Sequence, residues 1–175
     1  MTFPVKAVAN ELLEIAWEKD INDVTPMKLQ KLVYYAHGWW FGAFEKPLID
    51  DQIEAWTFGP VVPDLYNATR EYGNQPITKF LTEISLASLS NITVKTPRVP
   101  KENKKVRSCL EWIIESYGNF NGIELSNLSH EKQGPWDETV CENIKEFGSL
   151  PKNTDIPPKR IKEFFAQKLS EINGE

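Results

Sequence analysis

Four side chains have the chemistry of a nucleophile or a general base near neutral pH: the thiols of Cys109 and Cys141 and the imidazoles of His37 and His130. A cysteine–histidine enzyme would have to be built from this set, or from His130 with Glu131 or Cys141. Cys109, however, falls between Val106 and Ile113 on the apolar side of a helical pattern, where a thiol acts as a small hydrophobe and is inert. A zinc site drawn from the same four residues would need ligands from four separate segments, and the close pairs that seed such sites do not occur. Neither GxxxxGK[ST] nor GxGxxG is present, so a nucleotide phosphate has no ready cradle. Asp50-Asp51 reads as a solvated turn. The expectation is a protein with no metal, no cofactor and no catalytic set.

Two other segments concentrate unusual residues. In TFGPVVPDLY, residues 57–66, one glycine and two prolines fix the backbone while Phe58, Val61, Val62, Leu65 and Tyr66 crowd around it. In LSHEKQGPW, residues 128–136, a histidine, a proline and a tryptophan meet in a break between short helical patterns. The plain reading of His130 is a hydrogen bond to a backbone group or a helix end, with Trp136 filling the core; the other is a place at an interface.

The elements that must position these segments are mostly helical. Val5, Val8, Leu12 and Ile15 share a helical face, so a first helix is predicted over 4–19. Thr25 and Pro26 supply an N-cap and a first-turn proline for a second helix, whose stripe is Leu29, Leu32, Val33, Ala36 and Trp40. Gly38 and Gly42 weaken it toward an end near Phe41. One short strand is predicted over 53–58, a third helix from Pro63 capped by Gly73, and a weak strand over 91–95 within a small hairpin or loop. Further helices are predicted over 101–117, 122–129, 135–143 and 158–172, the last docking through Phe164 and Phe165, with a linker-like stretch over 148–158. The fold class expected is mainly α: a compact single-domain bundle of six to eight helices over residues 1–175, with a small β element near 53–58 and 91–95.

Composition narrows the function. With 25 Asp and Glu against 20 Lys and Arg, the net charge of −5 fits a protein partner better than phosphates. The basic groups Lys101, Lys104, Lys105, Arg107 and Lys159, Arg160, Lys162 read as solvated helix faces, so DNA binding by an autorepressor stands only as an alternative. Six Trp, five Tyr and nine Phe are a surplus of the residue types that dominate binding hot spots. Two cysteines outside any CxxC pair, no signal-peptide pattern at the N-terminus and no apolar run of membrane-spanning length lead to the expectation of a cytoplasmic protein.

The string TPMKLQKLVYYAHGW at 25–39, followed by KPLIDDQIEAWTFGPVVPDLY at 46–66, resembles the signature of the SocA-like antitoxin family, the Panacea domain. The likeness resumes at Tyr117-Gly118, at Leu128 to Glu131 with Pro135-Trp136, and at the final helix with Phe164-Phe165; residues 78–100 carry none of it. It implies the antitoxin of a bacterial or phage toxin–antitoxin module that blocks a toxin, encoded by an adjacent gene, through direct contact. Other members of the family imply a proteolytic adaptor delivering its toxin to a ClpXP-type protease, or are known only as phage-associated. Gln30, Lys31 and Tyr34 lie off the apolar stripe and have polar ends, which suits either a polar network or a partner contact. The candidate partner surface is Lys28, Gln30, Lys31, Tyr34, Tyr35, Trp56, Phe58, Pro60 and Tyr66, with Gly59, Pro63, His130, Pro135 and Trp136 as motif residues that shape the fold or the interface.

Overall fold

The computed structural model describes residues 2–88 and 91–174. Among the described residues, seven α-helices and two antiparallel two-stranded hairpins follow in the order α1 (Val5–Glu18), α2 (Pro26–Phe44), β1 (Glu54–Trp56), β2 (Gly59–Val61), α3 (Pro63–Thr69), β3 (Glu83–Ser88), β4 (Asn91–Lys95), α4 (Lys104–Tyr117), α5 (Gly122–Ser129), α6 (Pro135–Phe147) and α7 (Pro158–Asn173). The expected class, mainly α with a small β element, is the one observed. None of the described helices is long and apolar enough to cross a membrane.

The axis of the body is α2, against which α1, α3, α4, α5, α7 and β2 all pack. Its start is the one its sequence announces: Thr25 Oγ1 accepts the Lys28 N–H at 3.3 Å, with Pro26 in the first turn. Its end differs, because α2 runs on to Phe44 before Glu45 closes it in the left-handed conformation. The glycines are not terminators. A Cβ on Gly42 would stand 2.7 Å from the Phe165 and Ala166 backbone, so this residue lets α7 lie close against α2.

Asp50-Asp51 is likewise more than a solvated turn. Asp51 Oδ2 accepts the Val5 N–H at 2.9 Å and caps α1, which has no side-chain cap of its own, placing an acidic group at the positive end of the helix dipole. Along the other face of α1, Glu11 and Glu14 meet Arg107 of α4 at 2.8 and 3.3 Å, and Glu14 also pairs with Arg98. Arg107 therefore ties α1 to α4, and Arg160 is held by Glu138 and Glu142 of α6 at 3.0 and 2.7 Å. Key members of both basic clusters are engaged inside the protein instead of forming a free cationic face.

Smaller differences have local causes. The strand expected over 53–58 is present as β1, and it pairs with a second strand, β2, that the pattern did not announce, with Trp56 opposite Gly59 and Ala55 opposite Pro60. α4 begins at Lys104, after a turn at Lys101 and Glu102, and α6 continues to Phe147, where Gly148 takes a positive φ. The hairpin within 74–100 is present as β3–β4, with Ile84 opposite Val94; residues 89–90 between its strands lie outside the described residues.

Candidate functional site

The β1–β2 hairpin has strands of three residues each, too short to hold its shape alone. Side chains from three helices hold it by its backbone. Gln30 of α2 acts as a surrogate strand: its Oε1 accepts the Val62 N–H at 2.9 Å while its Nε2 donates to the Val62 carbonyl at 3.1 Å. Lys31 Nζ donates to the Pro60 carbonyl at 2.8 Å, Ser126 Oγ of α5 to that of Phe58 at 2.8 Å, and Trp136 Nε1 of α6 to that of Trp56 at 2.8 Å. On the outer side of β1, the Ala55 N–H donates to the Thr154 carbonyl at 2.8 Å and Glu54 bridges to Asp155. The hairpin is thus gripped by its backbone at Ala55, Trp56, Phe58, Pro60 and Val62; Ala55, Pro60 and Val61 are buried, while Trp56 is half-buried and Phe58 exposed.

Gly59 makes this arrangement possible. It adopts φ +97°, and a Cβ there would stand 2.5 Å from Ser129 Oγ and 3.0 Å from Lys31 Nζ. Pro63 opens α3 directly behind the hairpin, and Pro135 opens α6 so that Trp136 reaches Trp56. The ring of His130 stacks on Trp136 at 3.9 Å with an interplanar angle of 22°. This departs from the plain reading of that histidine: its backbone N–H caps α5, but its buried Nε2 has no hydrogen-bond partner among the described residues. Burial, with the Lys31 charge nearby, holds the imidazole below its ordinary pKa.

In front of the hairpin lies a groove of ≈ 680 Å³. Its walls include Trp56, Phe58 and Tyr66, a further wall segment from Leu150 and Pro151, and Met27 and Lys31 contributed by α2. Phe58 is 65% exposed and Tyr66 42%, while the Trp56 and Tyr66 rings pack on each other at 4.9 Å. Isolated exposed rings are ordinary, but aromatics gathered along one concavity form an apolar surface that can take up an apolar segment.

The sequence-based candidates therefore divide. Trp56, Phe58 and Tyr66 come together at the groove. Lys28, Gln30, Lys31, Tyr34 and Tyr35 are buried, because α2 from Lys28 to Gly38 is covered by its neighbours and leaves no wet face for its off-stripe residues there, and Pro60 is buried in β2. Lys28 Nζ pairs with Asp23 at 2.6 Å. Tyr34 and Tyr35 face the core: Tyr35 stacks on Tyr117 at 4.4 Å, Tyr34 meets the Phe165 ring at 5.7 Å, and burial drives both phenols up in pKa. Lys31 is different. Its ammonium is buried with no carboxylate partner among the described residues, and burial pushes it down to about 7.

Sequence reasoning missed this further wall segment, since Leu150 and Pro151 sit in the linker-like stretch and only the pairing of 154–156 with β1 brings them to the hairpin. His37, weighed in the sequence only as an imidazole that could activate a thiol, is engaged structurally: its buried Nδ1 accepts the Ile49 N–H at 3.4 Å, and burial lowers its pKa to about 4. Cys109 is partly buried, its thiol pushed up to about 11 by burial, and Cys141 is exposed on α6. Among the described residues no group of His, Cys, Asp and Glu has the arrangement of a metal site.

A mainly helical body bearing an apolar aromatic groove is the class of structure these observations define. Comparison with known proteins gives it a family. The model of the family described as "Antitoxin SocA-like, Panacea domain" matches residues 29–137. Antitoxin SocA of Caulobacter vibrioides (strain NA1000 / CB15N) is 33% identical over 132 residues, a stretch covering 75% of this chain and 68% of that protein. No solved structure matches. The chain belongs to the SocA-like antitoxin family. The matched span contains the hairpin and all four side chains that anchor it, Gln30, Lys31, Ser126 and Trp136, and stops short of the groove's wall segment at Leu150 and Pro151.

Proposed function

We propose that this protein is the antitoxin of a toxin–antitoxin pair and neutralises a cognate toxin, encoded by an adjacent gene, by binding it directly at the groove beside β1–β2. The observation that carries this reading is the division of labour in the hairpin: its backbone is engaged by the rest of the fold, and its aromatic side chains line an open concavity. A rigid platform of this kind loses little conformational entropy on binding, and aromatics are the commonest anchors of protein interfaces. The protein acts without a catalytic step, consistent with the high pKa of Cys109 and the structural engagement of His37. Its place of action is the cytoplasm, and the chain folds as a single domain.

Co-expression with the adjacent gene product tests the proposal by growth, co-purification and toxin half-life together. Restored growth with a stable, co-purifying toxin is the expected result. Restored growth with a toxin that disappears would transfer the role to a proteolytic adaptor, and absence of both rescue and complex would refute the antitoxin reading.

A further inference from the structure

The chain carries five more acidic than basic groups, yet none of the described residues lining the groove is Asp or Glu, and two are lysines, Lys31 and Lys152. The neighbouring carboxylate of Glu54 is taken by the Trp56 indole N–H at 2.7 Å. Lys31 spends one hydrogen bond on the Pro60 carbonyl, which leaves other donors of a buried ammonium without a carboxylate. A buried cation left in that condition is costly, and a counter-charge delivered with a ligand relieves the cost. Lys152, which also lines the groove, is exposed.

The outer backbone edges decide how a ligand can approach. β1 is already paired with 154–155, and the Val62 N–H and C=O following β2 are bonded to Gln30. Adding a strand to the sheet is therefore closed off, and recognition must run through side chains. We infer that the groove selects a segment of the partner protein in which a bulky apolar side chain adjoins an Asp or Glu: the apolar group packs on Trp56, Phe58 and Tyr66, and the carboxylate is received between Lys31 and Lys152. This rests on the antitoxin reading for the partner's identity, but the groove's preference for an acidic apolar segment is a property of this chain alone. Lys152 lies outside the span matched by the family, which makes it the part of the site suited to distinguishing one partner from another.

The test uses the full chain in two arms. In the first, the dissociation constant for the adjacent gene product is measured for the native chain, Phe58→Asp, Lys152→Glu and, as a control outside the groove, Lys101→Glu. All three substituted residues are exposed, so thermal melting is expected to stay native. The expected result is a weakening of tenfold or more for Phe58→Asp and Lys152→Glu and less than twofold for Lys101→Glu. A native complex that none of these changes weakens overturns the inference and leaves the antitoxin reading intact. In the second arm, which needs no toxin, the capped peptides acetyl-Leu-Glu-Phe-Glu-Leu-amide and its glutamine and lysine counterparts are titrated against the labelled chain. The Trp56 indole and Lys31 signals are expected to move with the acidic peptide at several-fold lower concentration than with the other two. Equal responses, no response, or a Phe58-dependent dimer of this chain in sedimentation would each overturn the inference; a native chain that forms no complex with the adjacent gene product but still prefers the acidic peptide removes the antitoxin reading alone.

Discussion

The two hairpins of this molecule are built on opposite plans. β1–β2 has three-residue strands, and side chains from α2, α5 and α6 grip its backbone at Trp56, Phe58, Pro60 and Val62. β3–β4 is longer and holds its own ladder, with a register shift between Leu86 and Ser88. The buried Asn10 side chain holds its base: Asn10 donates to the carbonyls of Leu81 and Pro97, both at 2.9 Å, and accepts the Leu81 N–H at 2.7 Å. Ile84 and Val94, opposite each other in that ladder, are 70% and 64% exposed. The difference teaches that tertiary anchoring, and not strand length, fixes where a hairpin's side chains point. The short hairpin shapes a groove because the rest of the fold specifies it.

The largest effect should come from breaking the short hairpin where it is most crowded. Gly59→Val puts a branched side chain at φ +97° against Ser129 and Lys31, and a loss of about 3 kcal/mol or more in urea unfolding is expected, together with loss of partner binding. Next comes the anchor of the long hairpin. Asn10→Ala strips partners from buried backbone groups at Leu81 and Pro97 and should cost about 2–3 kcal/mol, with faster hydrogen exchange over 83–95 and an unchanged groove.

A pH series sharpens the contrast further, since Lys31 grips only the short hairpin. Its pKa is about 7 when folded and 10.5 ordinarily, so between those values the unfolded chain holds more protons and stability rises with pH. Cys109, ordinarily 9.0 and about 11 when folded, works in the opposite direction above pH 9. Between pH 7 and 9 the Lys31 contribution should have a slope approaching about 1.4 kcal/mol per pH unit, and Lys31→Met should flatten it. The smallest effect belongs to the exposed pair of the long hairpin: Ile84→Thr with Val94→Thr should change unfolding stability by less than about 0.5 kcal/mol.

Most of the helical frame was legible in the sequence because the period of apolar residues reports burial directly: α5 is found over the predicted 122–129, and α7 within a residue of 158–172. The β1–β2 turn was not, because Thr57-Phe58 lacks the Asn-Gly or Asp-Gly signal and strands of three residues give alternation nothing to repeat. The polar residues of α2 misled for another reason. A helical wheel assumes one wet face, and α2 has none between Lys28 and Gly38, so Gln30 and Lys31 turn inward and serve the hairpin instead of solvent. Half of the candidate surface was therefore recognisable by aromatic composition, while the wall from Leu150 and Pro151 depends on a long-range pairing that no local pattern encodes.

Hydrogen exchange on the complex with the adjacent gene product tests the central claim most directly, because it compares the two hairpins in one experiment. The account predicts new protection in the segments 54–66 and 150–154, with the β3–β4 strands exchanging as in the free chain. Protection confined to 83–95, with the groove unchanged, would contradict it.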